Sequence, residues 1–421
     1  MGVSRGTWET APVRDLASYI TVGFVGSMSS LFVDAGVPLL RGQNILPYSL
    51  NLTNLKYISK ETHRKWKKSA LQAGDVAIVR VGYPGTACVI PEGLGDLNAA
   101  SLVIIRPNRD LLDSHFLCYV LNSPWGKAEI KGRLVGAAQQ VFNTQTAAEL
   151  EVPVPPLSIQ RKIAAILVAY DDLIENNLRR IKILEEMAQS LYREWFVKFR
   201  FPGHQHARFT DSPLGRIPEE WEVVPFTEIA DVLSGGTPKT TEQEYWGGSI
   251  PFFAPKDAPE SFYVTNTEKA VTEIGLRKCN SKLYPKDTVF ITARGTVGKV
   301  LMPSTDMAMN QSCYALRGKQ GISQLYLFFA TREQANYLKK NTGGATFDTI
   351  VVDTFRRMLV ARPGNEIIAR FSQLIQPGTE LILNMLKKNI TLRRTRDLLL
   401  PRLISGEVDM AHTVTDLSLE Q

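Results

Sequence analysis

An internal duplication governs what this chain can fold into. WETAPVRDLA begins at Trp8 and WEVVPFTEIA at Trp221, a displacement of 213 residues. Under it Trp8, Glu9, Pro12 and Ala17 coincide with Trp221, Glu222, Pro225 and Ala230, while Asp15 falls on Glu228 and Leu16 on Ile229. The same register carries Gly23 to Gly236, Pro38 to Pro251, and Gly82 and Gly85 to Gly295 and Gly298. Chance does not hold one register over so long a span, so the chain carries one unit twice. Farther on, VFNT at Val141–Thr144 faces TFDT at Thr346–Thr349, a displacement of 205. That predicts the loss of about eight residues from a surface loop of the second copy.

Each copy has the same internal order. A mixed, strand-rich segment comes first, with short β-branched runs such as Asp75–Arg80 and Asp287–Thr292 set among Gly and Pro. A long helical segment follows. In the first copy the prolines of VPVPP, ending at Pro156, stop the preceding element and lead into a helix, with Ser158 as its expected cap. From Ile163 on, the residues Ile163, Leu167, Tyr170, Ile174, Leu178, Ile181, Leu184, Ala188, Leu191 and Trp195 recur every three or four positions. This predicts a helix of roughly 40 residues and about 60 Å. After Pro363 the second copy repeats the pattern with Ile367, Phe371, Leu374, Leu381, Met385, Leu392, Leu399 and Leu403. Pro377-Gly378 is expected to kink or break that helix.

A stripe this long exceeds what one domain covers, so the two helices are expected to pair antiparallel, with a strand-rich unit at each end of a rod; the alternative is that each helix packs back on its own domain. The fold class that follows is α+β: two similar α/β domains separated by a pair of long antiparallel helices, related by a pseudo-twofold. The boundaries are residues 1–152 and 204–361 for the strand-rich domains, 153–203 for the first helix, and 362–421 for the second helix and tail. Leu173, Met187 and Phe196 suit either an outer docking face or the seam between the helices.

Composition narrows the function classes. With 421 residues, 44% hydrophobic and 22% charged, the chain is an ordinary multidomain globular protein, not a disordered, collagen-like or purely coiled-coil one. The net charge of +7 is compatible with a polyanionic partner. Cys88, Cys118, Cys279 and Cys313 form no CxxC pair, and no secretory or membrane-spanning apolar run occurs, so a reducing cytoplasmic setting is expected.

Catalytic motifs are missing. The glycines at Gly235-Gly236 and Gly295–Gly298 lack phosphate-loop spacing, Pro155-Pro156 lacks the flanks of an adenine methyltransferase motif, and neither HExxH nor GxSxG occurs. His204 and His206 in FPGHQH lie either in a metal site without a nearby third ligand or in a solvated linker. A dispersed nuclease cluster of acidic residues and Lys stays open.

Two diverged heads on a spacer make a two-headed reader, for which duplex DNA, with about 34 Å per turn, is the natural ruler. Arg41, Gln43 and Asn44 and the equivalent Lys256 and Asp257 follow short apolar strands and carry groups suited to base edges. They serve equally as polar turns. The loops Arg80–Gly85, with Tyr83, and Arg294–Gly298, with Thr296, combine basic residues with glycines that admit a phosphate, or form tight hairpins. Lys239, Thr240, Lys299 and the run Arg64–Lys68 around Trp66 add positive charge or merely solvated surface. The basic stretch from Lys387 to Arg396 faces either a partner or water.

Three segments, with the two-copy plan, make the chain resemble the specificity subunit of Type I restriction-modification systems over essentially its whole length. They are VPVPPLSIQRKIAAIL opening the first helix, ILEEMAQSLYREWF closing it, and LLLPRLISGEVD near the carboxyl end. The resemblance implies a non-catalytic reader of double-stranded DNA, with two target recognition domains, a bipartite asymmetric target and a nonspecific spacer. It implies two methyltransferase subunits that dock on the chain and methylate adenine N6 with S-adenosylmethionine. It further implies restriction subunits that translocate and cleave DNA with ATP and Mg. The chain itself would hold no cofactor and no metal. By the same resemblance Arg41, Gln43, Asn44, Lys256, Asp257 and the glycine loops face DNA. Two other classes compete: a two-headed protein-binding scaffold, and a DNA enzyme with an unrecognised site.

Overall fold

The computed structural model describes residues 8–134, 140–341, 349–408 and 410. The chain divides into two units, one of residues 1–175 with 391–421 and one of residues 176–390, so that each long helix contributes to both.

In the first unit a four-stranded antiparallel sheet runs in the order Ala87–Val89, Val76–Val79, Leu102–Pro107, Ala17–Val22. Val76–Val79 and the Leu102–Ile105 stretch of its central strands are apolar at every position because both faces are covered, and they alternate with the two-residue period of a strand. Val76 and Ile78 join the core formed with Phe116, Leu117, Ile163 and Leu167, whereas Ala77 and Val79 join the core of Leu40, Ile45, Leu102 and Ile104. A second sheet places Val37–Leu40 parallel to Leu97–Ala99. The second unit repeats the plan. Ala230–Ser234, Cys313–Gly318, Val289–Thr292 and Val300–Pro303 pair in the corresponding order, and Trp246–Phe253 lies parallel to Ala308–Met309. Val289 and Ile291 face one core and Phe290 the other, as Val76, Ile78 and Ala77 do.

The duplicated Trp-Glu segments close each unit, since the first strand pairs with the last: Ala11 with Val152, and Val224 with Val360. This pairing corrects the second offset. Phe142 N–H donates to Arg80 C=O (3.0 Å) and Ile350 N–H to Ala293 C=O (2.9 Å). Arg80 and Ala293 keep the displacement of 213, but Phe142 and Ile350, like Val152 and Val360, differ by 208. The second copy is therefore shorter by five residues, not eight. The helix Thr144–Ala148 corresponds to Val352–Arg357, while Thr346–Asp348 of the TFDT match lie outside the described residues, as do His412 and the tail beyond Met410.

The first long helix spans Leu157–Tyr192, 36 residues, and continues into a π-helical turn at Arg193–Val197. Ser158 does not cap it. Pro156 holds the cap position, its carbonyl accepting from Ile159 and Gln160, and Ser158 is already inside the first turn. The second long helix, Asn365–Ile404, runs 40 residues without the break expected at Pro377-Gly378. A proline inside a helix costs about 3 kcal/mol. Here Gln373 and Pro377 are both exposed, so the carbonyl left without its partner lies on the solvent side. On the opposite face Phe371, Ile375, Ile382 and Leu383 are buried, each stabilising the helix by about 1.5–3 kcal/mol, which outweighs the loss.

Within each unit the helix segments are antiparallel. In the first, Lys162 reaches Met410 (3.3 Å) and Asp171 pairs with Arg396. In the second, Asn177 Nδ2 donates to Asn389 Oδ1 (2.7 Å) and Tyr192 packs edge-on to Phe371. The apolar stripes hold except where they slip by one residue. Leu178, Leu374 and Leu381 are exposed, and Asn177, Ile375 and Ile382 take the inner positions. Leu173 and Met187 are exposed, but Phe196 is buried among Tyr326, Phe371 and Trp221, because the π turn carries it inward.

Candidate nucleic-acid interface

Two loops that recur in both units, and a third described in the second unit, make up the candidate surface. The first is a single 3₁₀ turn, Gly42–Asn44 after strand Val37–Leu40 and Pro255–Asp257 after strand Trp246–Phe253. The residue three along folds each turn back on itself. Asn44 Oδ1 accepts the Arg41 N–H (3.0 Å), and Asp257 Oδ2 accepts the Ala254 N–H (2.9 Å). Asn44 is fully buried and spends its amide on Asn51 C=O (2.9 Å) and Thr53 C=O (3.5 Å). Asp257 Oδ1 also accepts from Glu268 N–H (3.1 Å). These two residues shape the turns. What each turn presents to solvent is the residue before them, Gln43 in one copy and Lys256, whose ammonium pairs with the exposed Glu268, in the other, at equivalent positions.

The remaining base-edge candidate, Arg41, is half-buried: its Nη2 donates to Asn54 C=O (3.2 Å) and its guanidinium lies 5.9 Å from the Phe32 ring centre. Its counterpart is Ala254, so the repeat does not conserve a charge there.

The second loop is the glycine pair. Gly82, Gly85, Gly295 and Gly298 all have positive φ, between 74° and 89°, a region open to glycine at no steric cost. Gly85 N–H donates to Val79 C=O (3.0 Å), and Gly298 N–H to the equivalent Thr292 C=O (2.8 Å). A Cβ on Gly85 would stand 2.7 Å from Ile130 Cδ1. The hairpin reading of these glycines is thus correct for the backbone, while the side chains around them point outward: Tyr83 is 83% exposed, and Arg294 and Thr296 are exposed. Arg80 is half-buried. The loop touches the turn in the second unit, where a Cβ on Gly295 would lie 4.0 Å from Pro255 Cβ.

Basic side chains gather around this loop. Lys299 pairs with Glu260 (2.5 Å), and Lys339 donates to Gly298 C=O (3.2 Å). Burial, followed by the neighbouring charges of Lys299 and Arg332, pushes the Lys339 ammonium below its ordinary pKa.

The third loop carries Lys239 and Thr240, both exposed, after Gly235-Gly236. It is anchored by Trp246 Nε1 donating to Lys239 C=O (3.1 Å) and by Gly236 N–H donating to Met309 C=O (3.1 Å). Asn310 N–H, next along, donates to Phe253 C=O (2.9 Å) immediately before the Pro255–Asp257 turn, so the third loop and the turn share a strand end.

Other basic candidates are placed differently. Trp66, among Arg64–Lys68, stacks on Phe24 with ring centres 3.8 Å apart, so its face is already covered. On the second helix Lys387, Arg393 and Arg394 are exposed, whereas Arg396 turns inward to Asp171. His204 Nδ1 lies 2.8 Å from Phe201 C=O, and among the described residues no group of three or more His, Cys, Asp or Glu is arranged to hold a metal.

Sequence reasoning missed the polar residues that fasten these elements. Gln160, fully buried, accepts from Asp113 N–H (2.9 Å) and donates to Leu111 C=O (3.0 Å) and Pro155 C=O (2.9 Å). Asp75 and Arg106 form a two-bonded ion pair at 2.7 and 2.8 Å. Asp171 and Glu185 stand beside the apolar stripe of the first helix, and that position was the available signal.

Comparison with known proteins agrees with the two-copy plan. The family described as "Type I restriction modification DNA specificity domain" matches residues 43–186 and again 218–391. The Type I restriction enzyme MjaIX specificity subunit of Methanocaldococcus jannaschii is 31% identical over 204 residues, 48% of this chain and 46% of that one. The chain thus spans about half the length of that relative. The putative type I restriction enzyme MjaX specificity subunit of the same organism is 22% identical over 95% of this chain and 93% of its own. The HindI specificity subunit of Haemophilus influenzae is 24% identical over 81% and 88% respectively. Among solved structures, the Type-I restriction-modification S subunit from M. genitalium shares the fold, with a TM-score of 0.60 at 16% identity over 95% of this chain and 96% of that one.

Proposed function

The chain belongs to the Type I restriction modification DNA specificity family, and from that premise we propose that it is the non-catalytic reader of a bipartite, asymmetric double-stranded DNA target. The observation that carries this reading is the repeated turn. The same fold element presents Gln43 in one unit and Lys256 in the other, each beside a glycine loop. An amide pairs with adenine and an ammonium with guanine, so equivalent positions read unlike bases. Tyr83, Arg80, Lys239, Thr240, Arg294, Thr296 and Lys299 supply phosphate and groove contacts around the turns, and these hold the register without reading sequence.

The chemistry belongs to partners. Two methyltransferase subunits dock on the chain and use S-adenosylmethionine, and restriction subunits use ATP and Mg. The exposed apolar residues Leu173, Ile183 and Met187 of the first long helix suit subunit docking. The whole assembly works on cytoplasmic DNA. No helix among the described residues is long and apolar enough to cross a membrane.

The test is selection from a random duplex pool by the full chain co-purified with its methyltransferase subunit, at stated salt. Two short, unlike half-sites at fixed spacing support the reading. An unenriched pool from a folded complex overturns it in favour of a protein-binding scaffold.

A further inference from the structure

Tyr48 and Ser261 hold the same place in the two copies, 213 residues apart and four residues after Asn44 and Asp257 respectively. Tyr48 sits at the tip of a hairpin, Ile45–Leu46 with Ser49–Leu50, in a left-handed conformation (φ 68°). The hairpin is continuous with the turn, since Asn51 N–H returns to Asn44 C=O (2.8 Å). The Tyr48 ring stacks on Tyr119 (4.8 Å between centres), and the Arg396 guanidinium lies 4.6 Å from the Tyr48 ring centre. Arg396 is 11% exposed and paired with Asp171, whose second oxygen accepts from Tyr119 Oη (2.5 Å). In the second unit Ser261 Oγ donates to Glu185 Oε1 (2.5 Å), and Phe262 N–H donates to the same oxygen (2.8 Å).

In both units, then, the residue four along from the turn is held by a charged side chain of a long helix: Arg396 for Tyr48, Glu185 for Ser261. Different chemistry at equivalent positions makes the same tether. Resting on the DNA-reading function above, we propose that Tyr48 with Arg396, and Ser261 with Glu185, are positioning pairs that fix the turns bearing Gln43 and Lys256, each governing specificity in its own half of the target. None of the four residues need touch DNA. A reading side chain discriminates only when its polar atoms meet the base edge within hydrogen-bond geometry, so a turn released from its helix loses preference while phosphate contacts keep general affinity.

The experiment uses the full chain with its methyltransferase subunit in four variants: Tyr48→Leu, Tyr48→Phe, Glu185→Ala and Glu185→Gln. Each is scored on the target selected by the wild type, on targets altered in one half or the other, and on scrambled DNA. Phe keeps the ring beneath Arg396, and Gln keeps an acceptor for Ser261 and Phe262. Tyr48→Leu is expected to lower base preference about tenfold in one half alone, and Glu185→Ala in the opposite half alone, with scrambled-DNA affinity unchanged and with Tyr48→Phe and Glu185→Gln close to wild type. Relaxation of both halves together, or of neither, in folded variants overturns the proposal while leaving the DNA-reading function standing. A wild type that selects no sequence removes both. Should Tyr48→Leu not fold, the Glu185 variants decide.

Discussion

Asn44 and Gln43 are neighbours with opposite tasks, and replacing each by alanine separates them. Asn44 is fully buried and closes its turn by accepting from Arg41 N–H (3.0 Å) and donating to Asn51 C=O (2.9 Å). Asn44→Ala strands that N–H and that carbonyl. An unpaired buried polar group costs about 1–3 kcal/mol, and because Arg41 and Asn51 are half-buried the lower part of that range applies, about 2–4 kcal/mol in total. For a unit of this size each kcal/mol lowers the melting temperature by about 2–4 °C, so calorimetry of the full chain should show the transition of the first unit falling by about 4–16 °C. Gln43→Ala removes an exposed side chain and should leave both transitions within about 0.5 kcal/mol of wild type while weakening preference in one half-site. Equal melting of the two variants would refute the division between a residue that shapes the turn and one that reads from it.

Further outcomes follow from particular contacts. Burial raises the Glu185 carboxyl above its ordinary pKa of 4.5, partly offset by Ser261 and Phe262. Its contribution to stability is complete below 4.5 and is lost as pH rises through the raised value. Melting curves against pH should therefore show Glu185→Gln gaining on wild type above pH 4.5 until Glu185 is fully ionised. Cys88, Cys118 and Cys313 are buried, with Cys88 pushed up to about 12, and Cys279 is only partly so. Iodoacetamide at pH near 8 should label Cys279 far ahead of the others in folded protein, and all four after denaturation, as read by mass spectrometry. Pro377→Ala should stabilise the second unit by about 1–3 kcal/mol in urea unfolding, because it returns a backbone donor to an intact helix; destabilisation would mean that Pro377 is needed for the helix path.

The duplication carried most of the fold, because paired Trp-Glu segments and glycines with positive φ leave a mark in the letters themselves. Trp8 and Trp221 stand just before the strands Thr10–Pro12 and Glu222–Pro225 that close each unit, and Gly85 and Gly298 are glycines for the same backbone reason. The second offset was misread because VFNT and TFDT match as letters, whereas equivalence is set by the partners of Arg80 and Ala293. Pro377 was read by its local cost alone, and burial of the opposite helix face decided the outcome. At the candidate site the sequence located the turns but not the roles within them. Asn44 and Gln43 look alike as polar residues, and only the fold shows which one faces inward. Arg396 and Glu185 look like solvated helix charges until Tyr48 and Ser261 are brought against them.

The central claim is that two copies of one turn read two unlike halves of a DNA target. The most direct measurement repeats the random-pool selection with Gln43→Ala and with Lys256→Ala, each in the full chain with its methyltransferase subunit. Each substitution should relax one half-site by about 1–3 kcal/mol per base and leave the other half and the spacing unchanged, and the two variants should affect opposite halves. Selected sequences that are identical for wild type and both variants, or that relax in both halves together, would contradict it.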